Sequence, residues 1–371
     1  MPELWLTYGS RDIVLDIKVE NLIEFENSRF NNLQDQYLVQ QAESISLEGV
    51  RIFAAEGSKS IARTISVFLS LARKNSVSNV SIECFPEDYS LLSNKLEGER
   101  LEKVKDTDVE ILERANDPKT VFVSTVKLDP VFGFSGIPTK LLRKCSKDNM
   151  REAYNSRTTN LPNPAVNSPP LQVALDYCKN MSAKCIHVTT SNTSIDSLFA
   201  GGLLESFQNG IKRIESLCCN DYNNTRSMII CADRDADSHM HLSDSLRNLW
   251  NCVHVLRDGG SGILFSENRS GLGSVALQRF AEGRLAIEDV YTNEVYVEGM
   301  EDLMFMNELK QKYQLGILSS LPHYFLSSKF GFQTFPRSHD ALAKLLEING
   351  KAQKILVISD PNLALFNFST N

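Results

Sequence analysis

Short apolar runs alternate with amphipathic stretches along most of this chain. The apolar runs at residues 50–55, 80–84 and 121–126 are typical of buried strands, and residues 109–112 predict a further short strand. Residues 58–74 repeat apolar positions with the spacing of one helix face. Because strands and helices alternate, the pattern predicts a largely parallel α/β sheet.

The same alternation restarts after residues 220–225, a polar and turn-prone segment. Beyond it, residues 242–256 predict a helix and residues 262–265 a strand. A chain of 371 residues is also long enough to form two separate cores. We therefore expect two α/β domains with largely parallel sheets, over residues 1–222 and 226–371.

Composition and charge limit the partners that we expect for the chain. It is 42% hydrophobic and 23% charged, with a net charge of −7 and a pI of about 5.5. An acidic chain is a poor candidate for broad nucleic-acid binding, which depends on clustered lysine and arginine. No apolar run approaches the ~20 residues that span a membrane, and no signal peptide is recognisable. We expect a cytoplasmic protein that binds neither nucleic acid nor membranes, and its oligomeric state is open.

The segment most suggestive of chemistry is residues 121–140, VFVSTVKLDPVFGFSGIPTK. Its apolar run ends at Asp129, and the loop that follows contains Ser135 and Gly136 and leads to Lys140. A buried strand that ends in small residues, followed by a lysine at the start of a helix, is a common anion or cofactor site. An ordinary strand–loop–helix connection has the same pattern.

A strip of acidic residues and histidines in CADRDADSHMHL is the best candidate metal site. We name this set of five alternating residues the Asp/His strip: Asp233, Asp235, Asp237, His239 and His241. In an extended strand, residues at every second position lie on one face. Carboxylate and imidazole ligands suit a divalent metal such as zinc, manganese, iron or nickel. A solvated acidic loop is the alternative interpretation.

Six segments, in order along nearly the whole chain, resemble the nickel-pincer-nucleotide lactate racemase family. They are LTYGSRDIVLDIKVENLIEF, RIFAAEGSKSIARTISVFLSL, LDPVFGFSGIPTK, SIDSLFAGGLLESFQNGI, LRDGGSGILFSENRSGLGS and KILVISDPNLALF. The resemblance implies two α/β domains with the active site in an inter-domain cleft. It also implies an isomerase, a racemase or epimerase of 2-hydroxy acids. Its cofactor would be a nickel-bearing pyridinium mononucleotide tethered to a loop lysine, with two histidines as bases and a third on the nickel.

The resemblance further implies which residues bind the cofactor or another anion. These positions are Lys140, Ser58, Lys59, Glu56, Arg247, Ser135 and Gly136. Lys140 matches the tethering lysine, with one more residue after FSG than the family pattern has. Ser58 and Lys59 would open the helix at residues 58–74, whose N-terminus also favours a phosphate or carboxylate. A plain helix cap and a surface arginine are the alternative interpretations.

The catalytic histidines of the family have no counterpart in this chain, whose first histidine is His187. The family's positions hold Val131, residues 87–90 and residues 155–156 instead. Valine cannot exchange a proton, whereas the reaction needs a base whose pKa lies near the working pH. Tyr89 or Asp88 could replace one base, but as unperturbed groups their pKa values lie far from 7.

Three functions follow from these observations. The first is a lactate racemase-like isomerase with altered bases. The second is a non-catalytic relative that binds a nucleotide, a phosphate or a small carboxylate, and it fits a chain that keeps cations but lacks a histidine base. The third is a metal-dependent enzyme that uses the Asp/His strip. A small anionic molecule is the expected partner in the first two cases, and fold alone does not decide among the three.

Overall fold

The computed structural model describes ten stretches of the chain: residues 3–24, 30–42, 48–77, 79–105, 107–162, 168–191, 193–218, 224–232, 240–292 and 294–361. Contacts between residues divide the chain into two units. The N-terminal unit comprises Arg29–Arg157 and Ala165–Leu217, and the C-terminal unit comprises Met1–Ser28, Thr158–Pro164 and Cys218–Asn371. The division differs from the predicted domains, 1–222 and 226–371, because the first 28 residues group with the C-terminal part.

The strands of the described residues run from three to ten residues in length. They are β1 (Glu3–Tyr8), β2 (Arg11–Asp16), β3 (Leu22–Glu24), β4 (Arg51–Ala54), β5 (Ser81–Cys84), β6 (Leu101–Lys103), β7 (Thr120–Thr125), β8 (Lys127–Asp129), β9 (Gly133–Ser135), β10 (Lys184–Ser191), β11 (Ser194–Gly202), β12 (Thr225–Cys231), β13 (Leu256–Phe265), β14 (Gln314–Leu318), β15 (Gln333–Phe335) and β16 (Ile355–Ile358).

Helices connect most of these strands. They are α1 (Asp35–Ala42), α2 (Lys59–Lys74), α3 (Tyr89–Lys95), α4 (Asp108–Asn116), α5 (Ile137–Cys145), α6 (Lys147–Asn155), α7 (Pro169–Cys178), α8 (Leu203–Cys218), α9 (Leu242–Cys252), α10 (Val275–Ala281), α11 (Met300–Leu309) and α12 (Ser338–Asn349). Among the described residues, no helix combines the length and apolar character needed to cross a membrane.

The N-terminal unit contains a six-stranded sheet with the order β11-β10-β7-β4-β5-β6. Its strands are parallel except β11, which pairs antiparallel with β10. The central strand β7, with the sequence TVFVST, is buried along its whole length. A parallel strand covered on both faces reads as a continuous apolar run, which is why the sequence pattern identifies it. The predicted α/β class with largely parallel sheets is confirmed.

The side chains of β7 pack alternately against the two faces of this sheet. Val123 belongs to a core cluster with Ile65 of α2 on one face. Phe122 belongs to a second cluster with Ile137 of α5 on the other. Successive residues of a strand point to opposite faces, so one buried strand fixes the positions of both helices. The N-termini of α2 and α5 therefore lie near the carboxyl end of the sheet.

The order of strands reverses beside β4. From β4 the chain continues through α2 to β5, which pairs with one side of β4. The later strand β7 pairs with the other side of β4. In open α/β sheets, ligands bind outside the carboxyl ends of the strands at such a reversal. The segments that follow β4 and β7 are therefore the place to look for a site.

The C-terminal unit has its own six-stranded sheet, with the order β15-β14-β13-β12-β16-β3 and parallel pairing throughout. Strand β3 joins it through the pair Leu22–Ile355. Because of this pairing, residues near the N-terminus belong to the C-terminal unit. Strands β1 and β2 form a separate antiparallel hairpin.

Two elements differ from their sequence predictions. Residues 109–112, predicted as a strand, lie inside helix α4. The Thr107 side chain accepts a hydrogen bond from the Glu110 N–H, and Ile111 and Ala115 are buried four residues apart. The pattern Thr-x-x-Glu is a helix start signal, and it outweighs a short apolar run. The helix predicted over residues 242–256 ends at Cys252.

We predict that Asn21→Ala destabilises the C-terminal unit by about 2 kcal/mol, because it removes two buried hydrogen bonds. The Asn21 amide donates to the carbonyls of Lys351 (2.9 Å) and Gln353 (2.7 Å), just before β16. Urea denaturation, with hydrogen exchange of the β16 amides as a local probe, measures the loss. Lys18→Ala, at an exposed side chain nearby, is the control, and equal stability of the two variants would contradict the prediction.

Candidate functional site

An ion pair between Glu56 and Lys140 lies at the reversal of strand order in the N-terminal unit. The Lys140 Nζ is 2.6 Å from Glu56 Oε2 and donates a hydrogen bond to Ser124 Oγ at 2.8 Å. The other carboxylate oxygen, Glu56 Oε1, accepts a hydrogen bond from the Thr125 N–H. Both side chains keep some exposed surface, 22% for Lys140 and 19% for Glu56. The pair is therefore held rigidly but can be reached from solvent.

The positions of these residues follow from the local sequence. Glu56 comes two residues after β4, and its bond to the Thr125 N–H joins β4 to the end of β7. Lys140 lies in the first turn of α5, which begins after Gly136. Ser124 points from β7 toward the α5 face, the same face as Phe122. Strand ends and a helix start thus bring the ion pair together.

Each member of the ion pair favours the charged form of the other, whereas burial opposes both charges. Burial opposes ionisation of Glu56, but the charges of Lys140 and Lys127 and its hydrogen bonds outweigh burial and lower its pKa to about 2. Burial lowers the pKa of Lys140, and the second charge of Lys127 adds to this, while Glu56 raises it. Glu56 is therefore ionised at neutral pH, and Lys140 loses its proton more easily than a surface lysine.

Lys127 is a second cation at this edge, which the sequence analysis missed. It begins β8 and lies opposite Ser135 of β9 in a short antiparallel pair. Its charge acts on both Glu56 and Lys140. A signal was present in the sequence, because Lys127 follows the apolar run of β7 as closely as Glu56 follows that of β4.

Asp88 completes the polar cluster from the neighbouring strand. It follows β5 and precedes α3, and it accepts a backbone hydrogen bond from Gly57. Burial raises its pKa to about 6, with a further increase from Glu87 and Glu56, while the Gly57 bond and Lys140 act in the opposite direction. The pKa of Asp88 is therefore not that of an unperturbed carboxyl, and a sequence cannot show how much water a carboxyl loses. Shifted pKa values are typical of functional sites.

The loop between β8 and β9 is shaped by a buried aspartate. Asp129 Oδ1 accepts hydrogen bonds from the N–H groups of Val131 and Phe132, both at 2.9 Å. Val131, which stands where the resemblance expects a histidine, is 2% exposed. The loop therefore has a structural apolar side chain at that position. Ser135, at the end of β9, is half-buried.

Gly136 and His187 fix the start of α5. A Cβ on Gly136 would come within 2.5 Å of the Phe207 ring and 3.3 Å of His187 Nε2, so only glycine fits. The Ile137 N–H donates to His187 Nε2 at 3.2 Å, and His187 Nδ1 lies 2.9 Å from Ser206 Oγ. Burial lowers the pKa of His187 to about 3, with the Lys140 charge adding to the effect. His187 is neutral, and both of its ring nitrogens are engaged.

The residues at the start of α2 divide into a cap and an exposed cation. The buried Ser58 Oγ accepts a hydrogen bond from the Ile61 N–H, which is the role of a helix cap. Lys59, the first residue of α2, is exposed. Within the N-terminal unit, the structure thus brings Glu56 and Lys140 into one cluster and gives Ser58 and Gly136 structural roles.

The predicted residues of the C-terminal unit are only partly described. Arg247 is exposed on α9. His241 caps the same helix, and its Nδ1 lies 3.4 Å from Asp244, whose hydrogen bond raises the pKa of the imidazole. The other members of the Asp/His strip lie outside the described residues. These are Asp233, Asp235, Asp237 and His239, so the metal site stays a prediction, as does the inter-domain cleft.

Comparison with known proteins identifies the fold. No protein-family model and no curated protein matches the sequence. The lactate racemase apoprotein from Thermoanaerobacterium thermosaccharolyticum aligns with a TM-score of 0.75 over 99% of this chain and 100% of its own, at 12% identity. The protein has a lactate racemase-like fold.

A second solved structure supports the same lactate racemase-like fold. A Thermotoga maritima protein from a structural genomics consortium aligns with a TM-score of 0.64 at 7% identity, over 90% of this chain and 97% of its own. At these identities the likeness shows the fold alone.

Within the part of the chain that the structure describes, the positions that the resemblance assigns to the nickel-bearing nucleotide do not carry the histidines it needs. Its metal-binding position falls at Asn155 and Ser156, and the Ser156 hydroxyl donates to the Ala153 carbonyl of its own helix. The neighbouring loop has the apolar Val131 in place of a histidine. Among the described residues, no group of three or more His, Cys, Asp or Glu side chains could hold a metal ion. The match of Lys140 to the tethering lysine stays an expectation of the resemblance, and the imidazole of the nearby His187 has both ring nitrogens engaged.

We predict that Asp88→Asn stabilises the protein at pH 8 by about 1–2 kcal/mol and gives no gain at pH 4. The folded-state pKa of about 6 lies above the ordinary value of 3.8, so the fold favours the protonated carboxyl. The stability from this group is present at low pH and is lost as the pH rises through about 6. Asparagine keeps an oxygen for the Gly57 N–H but carries no charge.

Urea denaturation at the two pH values measures this effect. Glu87→Gln, at an exposed neighbour that pairs with Lys144, is the control and is expected to change stability by less than about 0.5 kcal/mol at either pH. Destabilisation by Asp88→Asn at pH 8 would contradict the prediction.

Proposed function

We propose that this chain is a divergent relative of the lactate racemases that binds a small carboxylate at the carboxyl ends of β4 and β7. The observation that carries the proposal is the partly exposed Lys140 at the reversal of strand order, where the charge of Lys127 also acts on it. Crevices at this point of a parallel sheet are the usual ligand sites of such folds. Racemisation by two histidines is not part of the proposal, because His187 is locked by its hydrogen bonds.

The charge balance of the cluster supports an anionic ligand. The cluster contains two lysines, Lys127 and Lys140, and two carboxyl groups. Glu56 is ionised, whereas Asp88 is protonated in part of the molecules near neutral pH. Protonation of Asp88 removes one negative charge from the cluster. A ligand anion would approach Lys140 from its exposed side.

The first N–H groups of α5 already donate hydrogen bonds within the protein, which favours a small carboxylate over a phosphate as the ligand. Phosphate sites commonly use free N–H groups at a helix N-terminus. Here the Gly136 N–H donates to Thr139 Oγ1, and the Ile137 N–H donates to His187. Both donors are already used within the protein. Recognition would rest on lysine side chains, which act as point charges toward an anion.

We predict that Lys140→Met weakens lactate binding at least 10-fold, because a charge-assisted hydrogen bond contributes about 1.5–3 kcal/mol. Calorimetric titration with lactate, and separately with inorganic phosphate, measures the affinity. Lys144→Met is the matched control, since Lys144 lies on the same helix and pairs with the exposed Glu87. Equal affinity of both variants and the unmodified protein, or tighter binding of phosphate than of lactate, would contradict the proposal.

We also predict that lactate affinity falls as the pH rises through about 6, the pKa of Asp88. Ionised Asp88 adds a negative charge to the site and repels the carboxylate, so binding is stronger at pH 5 than at pH 8. Asp88→Asn is expected to remove most of this dependence, because the repulsive charge cannot form. The same calorimetric titration at both pH values measures it, and an unchanged pH dependence in Asp88→Asn would count against the placement of the ligand beside Asp88.

A further inference from the structure

Lys140 has the surroundings of a nucleophilic amine as well as those of a binding group. We propose that Lys140 condenses with the carbonyl carbon of a small 2-oxo acid to form an imine, while Lys127 holds the acid's carboxylate. The inference rests on the proposed carboxylate site and narrows its ligand to one that carries a carbonyl next to the acid group. It assigns different roles to the two lysines of the cluster.

The geometry holds the Lys140 amine in a defined place. The Nζ contacts Glu56 Oε2 at 2.6 Å and Ser124 Oγ at 2.8 Å, while the side chain stays 22% exposed. A nucleophile fixed by two contacts loses little further freedom when it meets a substrate, and this preorganisation favours reaction. Surface lysines lack such restraint.

The surroundings of Lys140 ease the loss of the ammonium proton that must precede attack on a carbonyl. Burial and the nearby charge of Lys127 both lower the pKa of Lys140, whereas Glu56 acts in the opposite direction. Burial and a second cation are the two ways in which proteins activate a lysine for covalent catalysis. Lys127 thus serves twice, as an activating charge and as the partner of the substrate carboxylate.

The proton balance requires a group that both accepts and donates near neutral pH. The amine lone pair forms the N–C bond as the C=O pair moves to oxygen, and one proton passes from the nitrogen to that oxygen, giving a carbinolamine. The nitrogen then gives up its proton, the hydroxyl takes one and leaves as water, and C=N replaces C=O. No oxidant or reductant is needed. Asp88, with a pKa of about 6, suits both transfers, whereas Glu56, with a pKa of about 2, is too weak a base.

A purely structural ion pair does not account for the whole cluster. Glu56 and Lys140 alone would suffice to join β4, β7 and α5. The charge of Lys127 stabilises ionised Glu56 but opposes the charge of Lys140, and a buried Asp88 lowers stability above pH 6. Costly charges of this kind are typical of sites kept for function. Carbonyl condensation uses both of them.

Reductive trapping tests the inference on the intact protein. The protein is incubated with pyruvate and sodium cyanoborohydride at pH 7, and the reduced adduct is mapped by peptide mass spectrometry. We expect one adduct per chain on Lys140, formed at least 10-fold faster than on Lys144 and Lys59 in the same digest and slowed by excess lactate. Asp88→Asn is expected to slow trapping while lactate binding is retained.

Two controls keep the outcome clear. Lys140→Arg, which keeps the charge, is expected to abolish the preferred adduct, and Lys144→Met is expected to leave it unchanged. Equal labelling of Lys140 and the exposed lysines, or a preferred adduct that persists in Lys140→Arg, would overturn the inference. If lactate binds but pyruvate is not trapped, imine formation fails and the carboxylate site stands. If neither occurs, both proposals fail.

Discussion

The pairing of Glu56 with Lys140 is the interaction on which the N-terminal unit's polar edge depends. Through it, β4, the end of β7 and the first turn of α5 are joined by three contacts of two side chains. Without Lys140, Glu56 would be a buried unpaired carboxylate, and breaking such a pair on one side is strongly destabilising. The pair also sets the electrostatics felt by His187 and Asp88.

The fold could be predicted well from the sequence because buried parallel strands have a simple signature. Largely apolar runs such as β7 and β16 do not alternate apolar with polar residues, so they are easily told apart from strands with one exposed face. The pairing of β3 with β16 could not be predicted from the sequence, since Leu22 and Ile355 lie far apart along the chain and leave no local pattern. Helix α4 was not predicted, although Thr107 followed by Glu110 is a helix start signal in the sequence.

The candidate site was predicted only in part, and the reason is physical. Lys140 was found because it follows an apolar strand and a glycine-containing loop, whereas Glu56 was named only through the family resemblance. Lys127 and the shifted pKa of Asp88 depend on burial and on distances across three strands, which composition and spacing do not encode. Ser58, Gly136 and His187 show the converse, because residues of functional appearance serve the fold.

The central claim is that the exposed side of Lys140 receives an anion. Anomalous diffraction from crystals grown in sodium bromide tests it most directly, because bromide reports where a free anion settles on the protein. The account predicts a bromide peak in contact with the ammonium groups of Lys140 and Lys127 beside the ends of β4 and β7. Bromide bound elsewhere, with none at this edge, would contradict it.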